Sequence, residues 1–349
     1  MIKKFRESNF YTKLFFWEFW PYQLVYFPVI VYYLFKAAKA KSITFFSAAN
    51  PGIESGGLTG ESKIDLLDQI PEKYKPTTVF IDKTYTIDSA LKQAFKSGLK
   101  FPFIAKPNVG ERGFLVKKIH SKEDLNEFFD GERVDLLFQE YVDYPIELAI
   151  LYYRLPESSN GEITSVTRKE FLGVTGDGKS TVRELLQKSR RARLQLKILE
   201  DELGNAMDQV LPKGKHEILV HIGNHIRGTK FLNGNGIIDK KLENVFDEIT
   251  SHIQGVFFCR YDLKVPSIED LKLGKNIKVM EVNGVSAEPA HIYDPEYSVT
   301  DAYKDLFKQI DIICQIAMHN ISKGFEPMTV GEFVRLLRGV KDYKKKAMV

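Results

Sequence analysis

The hydrophobic pattern predicts short strands interleaved with helices along most of the chain. Residues 256–265 and 276–282 show the strongest strand pattern, two runs rich in β-branched and aromatic residues that a polar loop joins. Capping residues mark helix starts at Thr181 and Thr329, each followed three residues later by a glutamate. Further strands are predicted at 43–47, 78–81, 101–105, 114–119, 136–142, 146–153, 163–171 and 216–222, and further helices at 63–70, 87–97, 181–203, 242–254 and 299–319. The pattern contains no internal repeat.

Three oxygen-bearing side chains fall on the two central strands, within runs that we expect to be buried. Asp262 lies on the first strand, and Glu281 and Asn283 lie at the end of the second. A buried carboxylate is costly unless it is paired or binds a metal. Two carboxylates and an amide oxygen, without cysteine or histidine at ligand spacing, favour a magnesium ion over zinc. Arg260 precedes Asp262 by two residues and so shares its face of the strand. The alternative is that these are strand-end charges that pair with one another.

Composition and charge indicate an ordinary globular protein in a reducing compartment. The chain has 349 residues, enough for two or three packed units, with 44% hydrophobic and 28% charged residues. Its 50 basic and 46 acidic residues leave a net charge of +4, too balanced to indicate nucleic acid as a partner. Cys259 and Cys314 show no disulfide or metal spacing. Basic residues cluster at 188–193 and 335–346, where a solvated face and a contact with an anionic partner are both open interpretations.

The N-terminal segment is aromatic and interrupted by proline. Residues 19–35 contain no charged side chain but include Pro21 and Pro28, and the run is marginally shorter than the roughly 20 apolar residues of a membrane-spanning helix. It is not followed by the cleavage pattern of a secretory signal. Lysines follow between residues 36 and 41. Residues 10–41 are therefore predicted to lie in a membrane interface or to pack as a hydrophobic arm, and both interpretations stay open.

Two glycine-containing loops are candidate ligand sites. The first contains Ser55, Gly56 and Gly57, and glycine allows a backbone to approach a ligand closely. The second follows Lys106 and spans residues 110–113, at the tip of a predicted hairpin that could cover phosphate groups. A plain glycine-rich connection is the alternative for each loop, because neither has the spacing of a defined phosphate-binding motif.

Several short motifs occur in a fixed order along the chain. They are Lys106-Pro before the second glycine loop, Gln139-Glu-Tyr-Val at a strand end, Pro145-Ile-Glu, Cys259-Arg-Tyr-Asp-Leu and Met280-Glu-Val-Asn. From residue 82 to residue 319 this order resembles the ATP-grasp superfamily. The last two motifs resemble the metal-binding strands of D-alanine–D-alanine ligases. Residues 174–186 and 211–214 are similar to segments of cyanophycin synthetases and related peptide ligases.

The resemblance implies an α+β protein with the ATP-grasp fold, in which two α/β subdomains grip ATP, and a divergent N-terminal region. The expected divisions are an arm at 1–41, a substrate region with the first glycine loop at 42–81, a small lid subdomain at 82–145, a large catalytic subdomain at 146–325, and an amphipathic helix with a basic tail at 326–349.

The resemblance also implies a set of ATP-binding residues. Lys106 would contact phosphate beneath the second glycine loop. Glu140 and the backbone at 141–142 would read the adenine, and Glu147 would bind the ribose hydroxyls. Lys83 is a second phosphate lysine, at a shorter spacing from Lys106 than in D-alanine ligases. The full nucleotide set is Lys83, Lys106, Gly110, Gly113, Gln139, Glu140, Tyr141, Val142 and Glu147.

The metal and catalytic residues follow from the same resemblance. Asp262, Glu281 and Asn283 would hold one or two Mg²⁺ ions against the β- and γ-phosphates of ATP. Arg260 would steady an acyl phosphate and the tetrahedral intermediate. Arg168 is assigned by its position along its strand, and the catalytic set is Arg260, Lys106 and Arg168.

The chain departs from the D-alanine ligases where the acceptor should bind. A short Ser/Thr-Pro-Gly turn usually follows the Glu-x-Asn motif in those enzymes, whereas residues 284–295 form a different and longer segment here. D-alanine is therefore not the substrate that we expect. The residues predicted to contact substrate are Ser55, Gly56, Gly57, Lys230, Glu288 and His291, with Tyr293 beside them.

The sequence thus predicts an ATP- and Mg²⁺-dependent ligase that joins a carboxylate to an amine through an acyl phosphate and releases ADP. Such chemistry needs metal, lysine and arginine around the transferring phosphoryl group rather than a nucleophilic side chain. The expected location is the cytoplasm, with residues 10–41 at the inner face of the membrane, and no nucleic acid is expected as a partner. Two alternatives stay open: a kinase that phosphorylates a small-molecule or lipid hydroxyl, and an inactive nucleotide-binding module peripheral to a membrane.

Overall fold

Two antiparallel sheets dominate the structure, a computed structural model that describes residues 8–110, 113–128, 134–220, 223 and 228–347. The strands are β1 (Thr78–Ile81), β2 (Phe103–Pro107), β3 (Lys117–Ile119), β4 (Leu136–Glu140), β5 (Ile146–Tyr153), β6 (Glu162–Glu170), β7 (Gly173–Thr175), β8 (His216–Ile218), β9 (Lys230–Asn233), β10 (Phe258–Val265) and β11 (Lys278–Asn283). The helices are α1 (Asn9–Phe15), α2 (Tyr22–Ala40), α3 (Lys63–Gln69), α4 (Ile87–Lys96), α5 (Lys122–Phe128), α6 (Val182–Lys188), α7 (Arg190–Arg193), α8 (Leu196–Leu203), α9 (Lys240–Ser251), α10 (Ile268–Lys272), α11 (Val299–Ser322) and α12 (Val330–Lys346). The predicted α+β class is confirmed.

The small sheet has the strand order β1-β4-β2-β3. Phe103 and Ala105 of β2 and Phe138 of β4 lie on one face of this sheet and pack against α4 and α5 in one core. The predicted hairpin between β2 and β3 is present, with Ala105 paired to Lys117. The strand at 78–81, which the sequence divisions place with the N-terminal region, is an edge strand of this sheet.

The large sheet has the strand order β11-β10-β5-β6-β9 and separates two environments. Tyr261 and Leu263, at odd positions of β10, are fully buried in a core with α3, α9 and α10. The even positions point to the other face, because side chains alternate along a strand. There Phe258 enters a second core beneath α11, whereas residues 260, 262 and 264 are charged. The second face of the sheet is therefore apolar at one end and charged at the other.

A one-residue bulge sets which side chains of β11 join the charged face. Asp262 pairs with Glu281, whereas the next residue, Leu263, pairs with Val279, so Met280 is the extra residue. The bulge allows Val279 to enter the buried core while Glu281 stays on the face of Asp262. Asn283 in turn pairs with Arg260. The four polar residues that the sequence placed on two separate strands are thus cross-strand neighbours.

The segment between α2 and α3 is fixed to the large sheet by one buried side chain. The Asn50 amide donates to the carbonyls of Gly56 (3.0 Å) and Phe258 (2.7 Å), and its Oδ1 accepts from the N–H groups of Phe257 and Phe258 (both 2.9 Å). The predicted strand at 43–47 is wrong: residues Phe45–Ala48 form a 3₁₀ turn. Its phenylalanines enter the core beneath α11 instead of pairing with a strand.

The predicted single helix at 181–203 is also wrong, because three short helices, α6 to α8, occupy this region. Ser189 has an extended backbone (φ −89°, ψ 124°), and its hydroxyl accepts from the N–H of Ala192 (3.4 Å). This cap starts α7 and interrupts the helical path. The three helices and the pair β7–β8 surround a small core of their own between β6 and β9.

The N-terminal helices present two unlike faces. Val25, Tyr26 and Val29 of α2 pack against α11, and the helix continues through Pro28. The opposite face exposes large apolar side chains along the whole segment. They are Phe10, Leu14, Phe15, Trp20, Tyr22, Leu24, Phe27, Ile30, Val31, Leu34 and Phe35. Within the part of the chain that the structure describes, no helix combines the length and apolar character needed to cross a bilayer.

The last helix, α12, bridges the two sheets. Phe333 at its beginning packs on Phe46 with ring centroids 5.6 Å apart. Near its end the Tyr343 hydroxyl lies 3.5 Å from the carbonyl oxygen of Asp135, which precedes β4. Helix α12 therefore connects the small sheet to the core beneath α11, in addition to the chain connection from β4 to β5.

We predict that Asn50→Ala lowers the free energy of unfolding by about 3 kcal/mol or more, because it leaves several buried backbone groups without partners. Urea denaturation measures the change. The matched control is Asn244→Ala, at an exposed position of α9, which should change the value by no more than about 0.5 kcal/mol. Equal effects of the two substitutions would show that Asn50 does not hold the segment to the sheet.

Candidate active site

The charged face of the large sheet gathers residues from four strands. Lys264 of β10 pairs with Glu147 of β5, which pairs with Lys169 of β6 on its other side. In the neighbouring row Asp262 faces Glu281. Because these positions have the same phase along paired strands, their side chains emerge on one side of the sheet.

Asp262 lies at the centre of this face. Arg260 binds it in a bidentate manner, with Nε 3.1 Å from Oδ1 and Nη2 3.1 Å from Oδ2. Lys169 Nζ lies 3.8 Å from Oδ1, and Asn283 Nδ2 lies 3.5 Å from Oδ2. Burial alone would raise the pKa of Asp262, but the charges of Arg260 and Lys169 outweigh it and lower that pKa. Asp262 is therefore an anion in a largely buried position.

Glu147 and Lys169 form a second buried pair on this face. Lys169 Nζ lies 2.9 Å from Glu147 Oε1, and Lys264 Nζ lies 3.9 Å from Glu147 Oε2. Burial opposes the charge of Lys169, yet the carboxylates of Asp262 and Glu147 raise its pKa above the ordinary value. The protonated Lys169 thus lies between two anions, and it is a site residue that the sequence did not single out.

Lys106 extends from the small sheet to the large one. Its Nζ donates to Gln139 Oε1 (3.0 Å) and to the carbonyl oxygen of Met280 (3.1 Å), the bulge residue. Gln139 Nε2 lies 3.3 Å from the same carbonyl oxygen. Burial lowers the pKa of Lys106 to about 8, with a further lowering by the positive charge of Lys63 and an opposing effect of Glu281. The predicted phosphate lysine, Lys106, therefore lies directly beside β11, the strand that carries Glu281 and Asn283 and is called the metal strand below.

Lys63 is a site residue that sequence reasoning missed. The side chain is almost fully buried, its Nζ lies 3.5 Å from Glu281 Oε1, and it donates to the carbonyl oxygen of Gly110. The sequence contained one signal: Lys63 is the first residue of α3, where the helix dipole favours acidic residues over basic ones. A lysine in that position indicates a role for its side chain outside the helix.

Positive charge exceeds negative charge in this cluster. Within the described part of the chain, its five cationic residues are Lys63, Lys106, Lys169, Arg260 and Lys264, and its four carboxylates are Glu147, Asp262, Glu281 and Glu288. Because uncompensated buried charge is unfavourable, the excess of cations favours an anionic ligand between the sheets.

The predicted metal ligands have donor atoms that fit Mg²⁺. Asp262 and Glu281 supply carboxylates from paired positions, and Asn283 supplies an amide. The described residues contain no group of three or more His, Cys, Asp or Glu side chains that could hold a metal by themselves. Magnesium is commonly bound by one or two carboxylates together with oxygens of a substrate phosphate, so this smaller set fits that ion.

The residues predicted to bind the nucleoside lie on the connection between the sheets. Glu140 Oε2 accepts from the N–H of Thr77 (3.0 Å) and lies 3.6 Å from Lys278 Nζ. The carbonyl of Val142 accepts from Lys264 Nζ (3.0 Å). Tyr141 lies under the Lys118 ammonium, 3.5 Å from its ring centroid. The connection is thus tied to both sheets beside Glu147.

The second glycine loop is described only in part. Gly110 and Gly113 both have positive φ angles, 149° and 76°, which favour glycine. Residues 111 and 112 lie outside the described part of the chain. The contact of Gly110 with Lys63 places the beginning of this loop beside Glu281.

Three predicted cations are not brought to the cluster. Arg168 is exposed and pairs with Leu148, so its side chain lies on the opposite face of the sheet from Lys169. Lys230 lies on the edge strand β9 and binds Glu170. The third, Lys83, is exposed after β1, where its N–H donates to the side chain of Asp135. For Arg168 the error is one position, which reverses the face of a strand residue.

The first glycine loop packs against the residues that directly follow β11. Ser55 is buried, and its hydroxyl donates to the carbonyl of Thr59 (2.9 Å) within the same loop. Gly57 (φ 81°) packs so closely on Gly284 that a Cβ at Gly57 would lie 2.6 Å from the Gly284 Cα. The carbonyl of Gly56 accepts from the N–H of Val285 (3.1 Å). These contacts position the chain that leaves Asn283 and occupy the hydroxyl of Ser55.

His291 lies inside the protein rather than at a surface that a substrate could reach. It is fully buried, with Nδ1 2.7 Å from Ser165 Oγ and Nε2 3.0 Å from Asp305 Oδ2. Tyr297 also donates to Asp305 Oδ2 (2.7 Å). His291 thus joins β6 to α11 and fixes the segment after β11.

Glu288 connects the charged face to the N-terminal helices. Its negative charge is among those that raise the pKa of Arg260 against the effect of burial, after the larger effect of Asp262. The Tyr293 hydroxyl donates to Glu288 Oε2 (2.8 Å) and lies 3.3 Å from the Tyr26 hydroxyl of α2. The ring of Trp17 stacks on Tyr293 with centroids 5.6 Å apart. The N-terminal segment is therefore connected to the Arg260 end of the site through Tyr293 and Glu288.

Comparison with known proteins gives structural similarity without a sequence match. No protein-family model and no curated protein matches the chain. Among solved structures, a D-alanine–D-alanine ligase from Bacillus anthracis is 15% identical, with a TM-score of 0.44, 77% of this chain covered and 71% of that one. The VanG D-Ala:D-Ser ligase from Enterococcus faecalis is 14% identical, with a TM-score of 0.39, 70% of this chain covered and 57% of that one.

A bifunctional glutathione synthetase from Pasteurella multocida is 16% identical, with a TM-score of 0.35 and 73% of this chain covered. The match spans only 38% of the glutathione synthetase chain. At these identities and TM-scores, the activity has to be argued from this chain's own residues.

We predict that the cluster binds inorganic tripolyphosphate with an affinity that falls as pH rises through about 8, where the free protein loses the charge of Lys106. Isothermal titration calorimetry between about pH 7 and about pH 9.5 measures the decline, and Lys106→Arg should flatten it because the guanidinium stays charged. The same decline in both proteins would mean that Lys106 does not titrate in the site.

Proposed function

We propose that the chain is an ATP-grasp ligase that uses ATP and Mg²⁺ to join a carboxylate to an amine. The observation that carries the proposal is the group of buried and partly buried cations around paired carboxylates where the two sheets meet. Cations are needed to neutralise the negative charge of a polyphosphate, and carboxylates are needed to bind a metal ion that contacts its oxygens.

The proposed site divides the work among the residues of the two sheets. Lys106 and Lys169 neutralise phosphate oxygens, and the β4–β5 connection with Glu147 receives the nucleoside. Asp262, Glu281 and Asn283 would hold Mg²⁺, which would reduce the negative charge of the phosphates. No nucleophilic side chain is needed, because the attacking group belongs to the substrate.

The reaction we propose proceeds in two steps. A carboxylate oxygen of the first substrate attacks the terminal phosphorus of ATP, and ADP leaves, which yields an acyl phosphate. The amine nitrogen then attacks the acyl carbon, the bond to phosphate breaks, and the nitrogen loses a proton as the amide forms. Arg260, at the junction of the metal strand and the Glu288 segment, supports negative charge on the acyl phosphate.

We further propose that the N-terminal helices lie in the interface of the inner membrane face, with the remainder of the protein in the cytoplasm. One face of the N-terminal helices exposes large apolar side chains between residues 10 and 35, and Lys39 and Lys41 follow them. An aromatic and aliphatic face bordered by lysines fits an anionic lipid surface. A membrane-bound or lipidic substrate would suit this location.

The ligase proposal predicts acyl hydroxamate when hydroxylamine replaces the amine. The protein is incubated with Mg-ATP, hydroxylamine and pools of amino acids, hydroxy acids and fatty acids, and the iron–hydroxamate colour and ADP are measured. A kinase would release ADP without hydroxamate and would phosphorylate a hydroxyl. ADP release that never yields a hydroxamate would contradict the ligase.

The double variant Asp262→Asn with Glu281→Gln tests the metal ligands in the same assay. We expect hydroxamate formation to fall by at least about 100-fold, since removal of both charges eliminates the metal-binding carboxylates. The control is Arg168→Gln, whose side chain lies on the other face of the sheet and should leave activity unchanged. Circular dichroism establishes that each variant is folded. Full activity of the double variant would refute the metal assignment.

The membrane proposal predicts that Leu24→Glu with Phe27→Glu moves the protein from the pelleted to the soluble fraction of liposomes made of phosphatidylglycerol and phosphatidylethanolamine. Both positions lie on the exposed face of α2, so the packing against α11 is kept. The matched control is Leu273→Glu, an exposed leucine after α10. Unchanged sedimentation of the double variant, or failure of the wild type to sediment, would contradict interface binding.

A further inference from the structure

An open groove runs along helix α12, between the helix and the end of the first glycine loop. Leu58 lines it on the side of the loop, and Leu337, Val340, Lys341, Lys344 and Lys345 line it on the side of the helix. Its volume is about 580 Å³, within the range of roughly 300 to 1,000 Å³ that is typical of small-molecule sites. None of these residues belongs to the charged face of the large sheet, so the proposed ATP site leaves the groove unexplained.

The groove has an apolar part and a cationic part. Leu337 is 45% exposed although it is a large apolar residue, and Val340 and Leu58 add to the apolar part. Lys341 and Lys344 each follow one of the apolar helix residues by four positions, so they lie about one turn, roughly 5 Å, farther along α12. Because water contact with apolar surface is unfavourable and clustered like charges repel, the two parts together favour a ligand with an apolar chain and an anionic group.

Both sides of the groove are fixed by contacts inside the protein. On the side of the loop, Ser55 Oγ accepts from the N–H groups of Leu58 and Thr59 (both 3.2 Å). Gly60 (φ 87°) packs so closely on α12 that a Cβ there would lie 2.9 Å from Leu336 Cδ1. Both ends of α12 are held by the contacts described above. The groove is therefore present before a ligand binds, and binding does not have to order it.

We propose that the groove binds an anionic amphiphile that has a single apolar chain and a phosphate head group. The chain would lie on Leu58 and Leu337, and the phosphate would contact the ammonium groups of the three lysines. Lysine is a common phosphate ligand, and a phosphate monoester carries about −1.5 to −2 charges near pH 7, which matches three lysines better than the single charge of a carboxylate. Asp342, the acid within this run of lysines, does not line the groove.

The shape of the groove favours a monomeric amphiphile over a bilayer surface. A single chain can enter the space between the loop and α12, where Leu58 and Val340 are partly buried. A bilayer surface instead contacts side chains that protrude, as the exposed apolar residues of α2 do. The inference does not depend on the proposed ligase activity, because none of the residues assigned to that activity lines the groove.

Isothermal titration calorimetry with decyl phosphate, below its critical micelle concentration, tests the proposal. Octyl and hexyl phosphate should bind more weakly, with a loss of about 2- to 4-fold for each methylene removed, because each methylene leaves water when the chain enters the groove. Inorganic phosphate lacks the chain and decyl maltoside lacks the charge. Each should bind at least about 10-fold more weakly than decyl phosphate.

Two variants separate the contributions of the head group and the chain. Lys341→Gln with Lys344→Gln and Lys345→Gln should lower the affinity for decyl phosphate about 10- to 100-fold and keep the dependence on chain length. Leu337→Asn should reduce the dependence on chain length, because the exposed leucine no longer covers the chain. Circular dichroism establishes that each variant is folded.

Two control variants address binding at other places. Lys92→Gln with Lys96→Gln and Lys100→Gln removes three exposed lysines on and after α4 and should leave the affinity unchanged. Leu24→Glu with Phe27→Glu alters the exposed apolar face of α2 and should also leave the affinity unchanged, because the amphiphile binds in the groove.

Three results would overturn the proposal. The first is a wild type that does not bind decyl phosphate, or a lysine variant of α12 that binds it as tightly as the lysine control does. The second is loss of binding in the α2 variant, which would assign the amphiphile to the N-terminal helices. The third is binding to phosphatidylglycerol vesicles without binding to decyl phosphate, which would make the lysines a membrane contact. The titrations need neither ATP nor a carboxylate, so each result leaves the ligase proposal unaffected.

Discussion

The one-residue bulge between β10 and β11 is the constraint on which the site depends. A regular antiparallel pair would keep strict alternation along β11, and Val279 and Glu281 would then share a face. The extra residue, Met280, separates them, so that the core receives the valine and the charged face receives the glutamate. The bulge also leaves the Met280 carbonyl to accept from Lys106, which joins the two sheets. One irregularity therefore positions an acid and attaches the small sheet.

The charges of the site are stable only in combination. Asp262 stays ionised because Arg260 and Lys169 offset its burial, and Lys169 stays protonated because Asp262 and Glu147 offset its own. Removal of one member leaves its partners buried without compensation, which costs more than the loss of a surface ion pair. The N-terminal segment adds Lys63 to this group, so the site is complete only when that segment is docked on the large sheet.

Local patterns predicted part of the site. Asp262 and Glu281 could be found because charged residues inside apolar runs stand out and alternation assigns their face. The bulge has no local signature. The sequence of β6 does not show which of its alternating residues face the site, so the prediction falls on Arg168, whereas Lys169 faces the site. Lys63 is absent from the predicted site because its contacts join residues far apart in sequence, which only tertiary packing brings together. The prediction of one helix at 181–203 is wrong because the Ser189 cap competes with helix continuation.

The two-faced packing of α2 has a consequence for how substrates arrive. The same helix exposes an apolar face to the surroundings and presents Tyr26 to the Tyr293–Glu288 pair near the Arg260 end of the charged face. A protein that rests on a bilayer through this helix would hold that end at a fixed height and orientation above the lipid. If the proposed function and membrane contact hold, an acceptor carried in the membrane would then reach that end by diffusion in two dimensions rather than three.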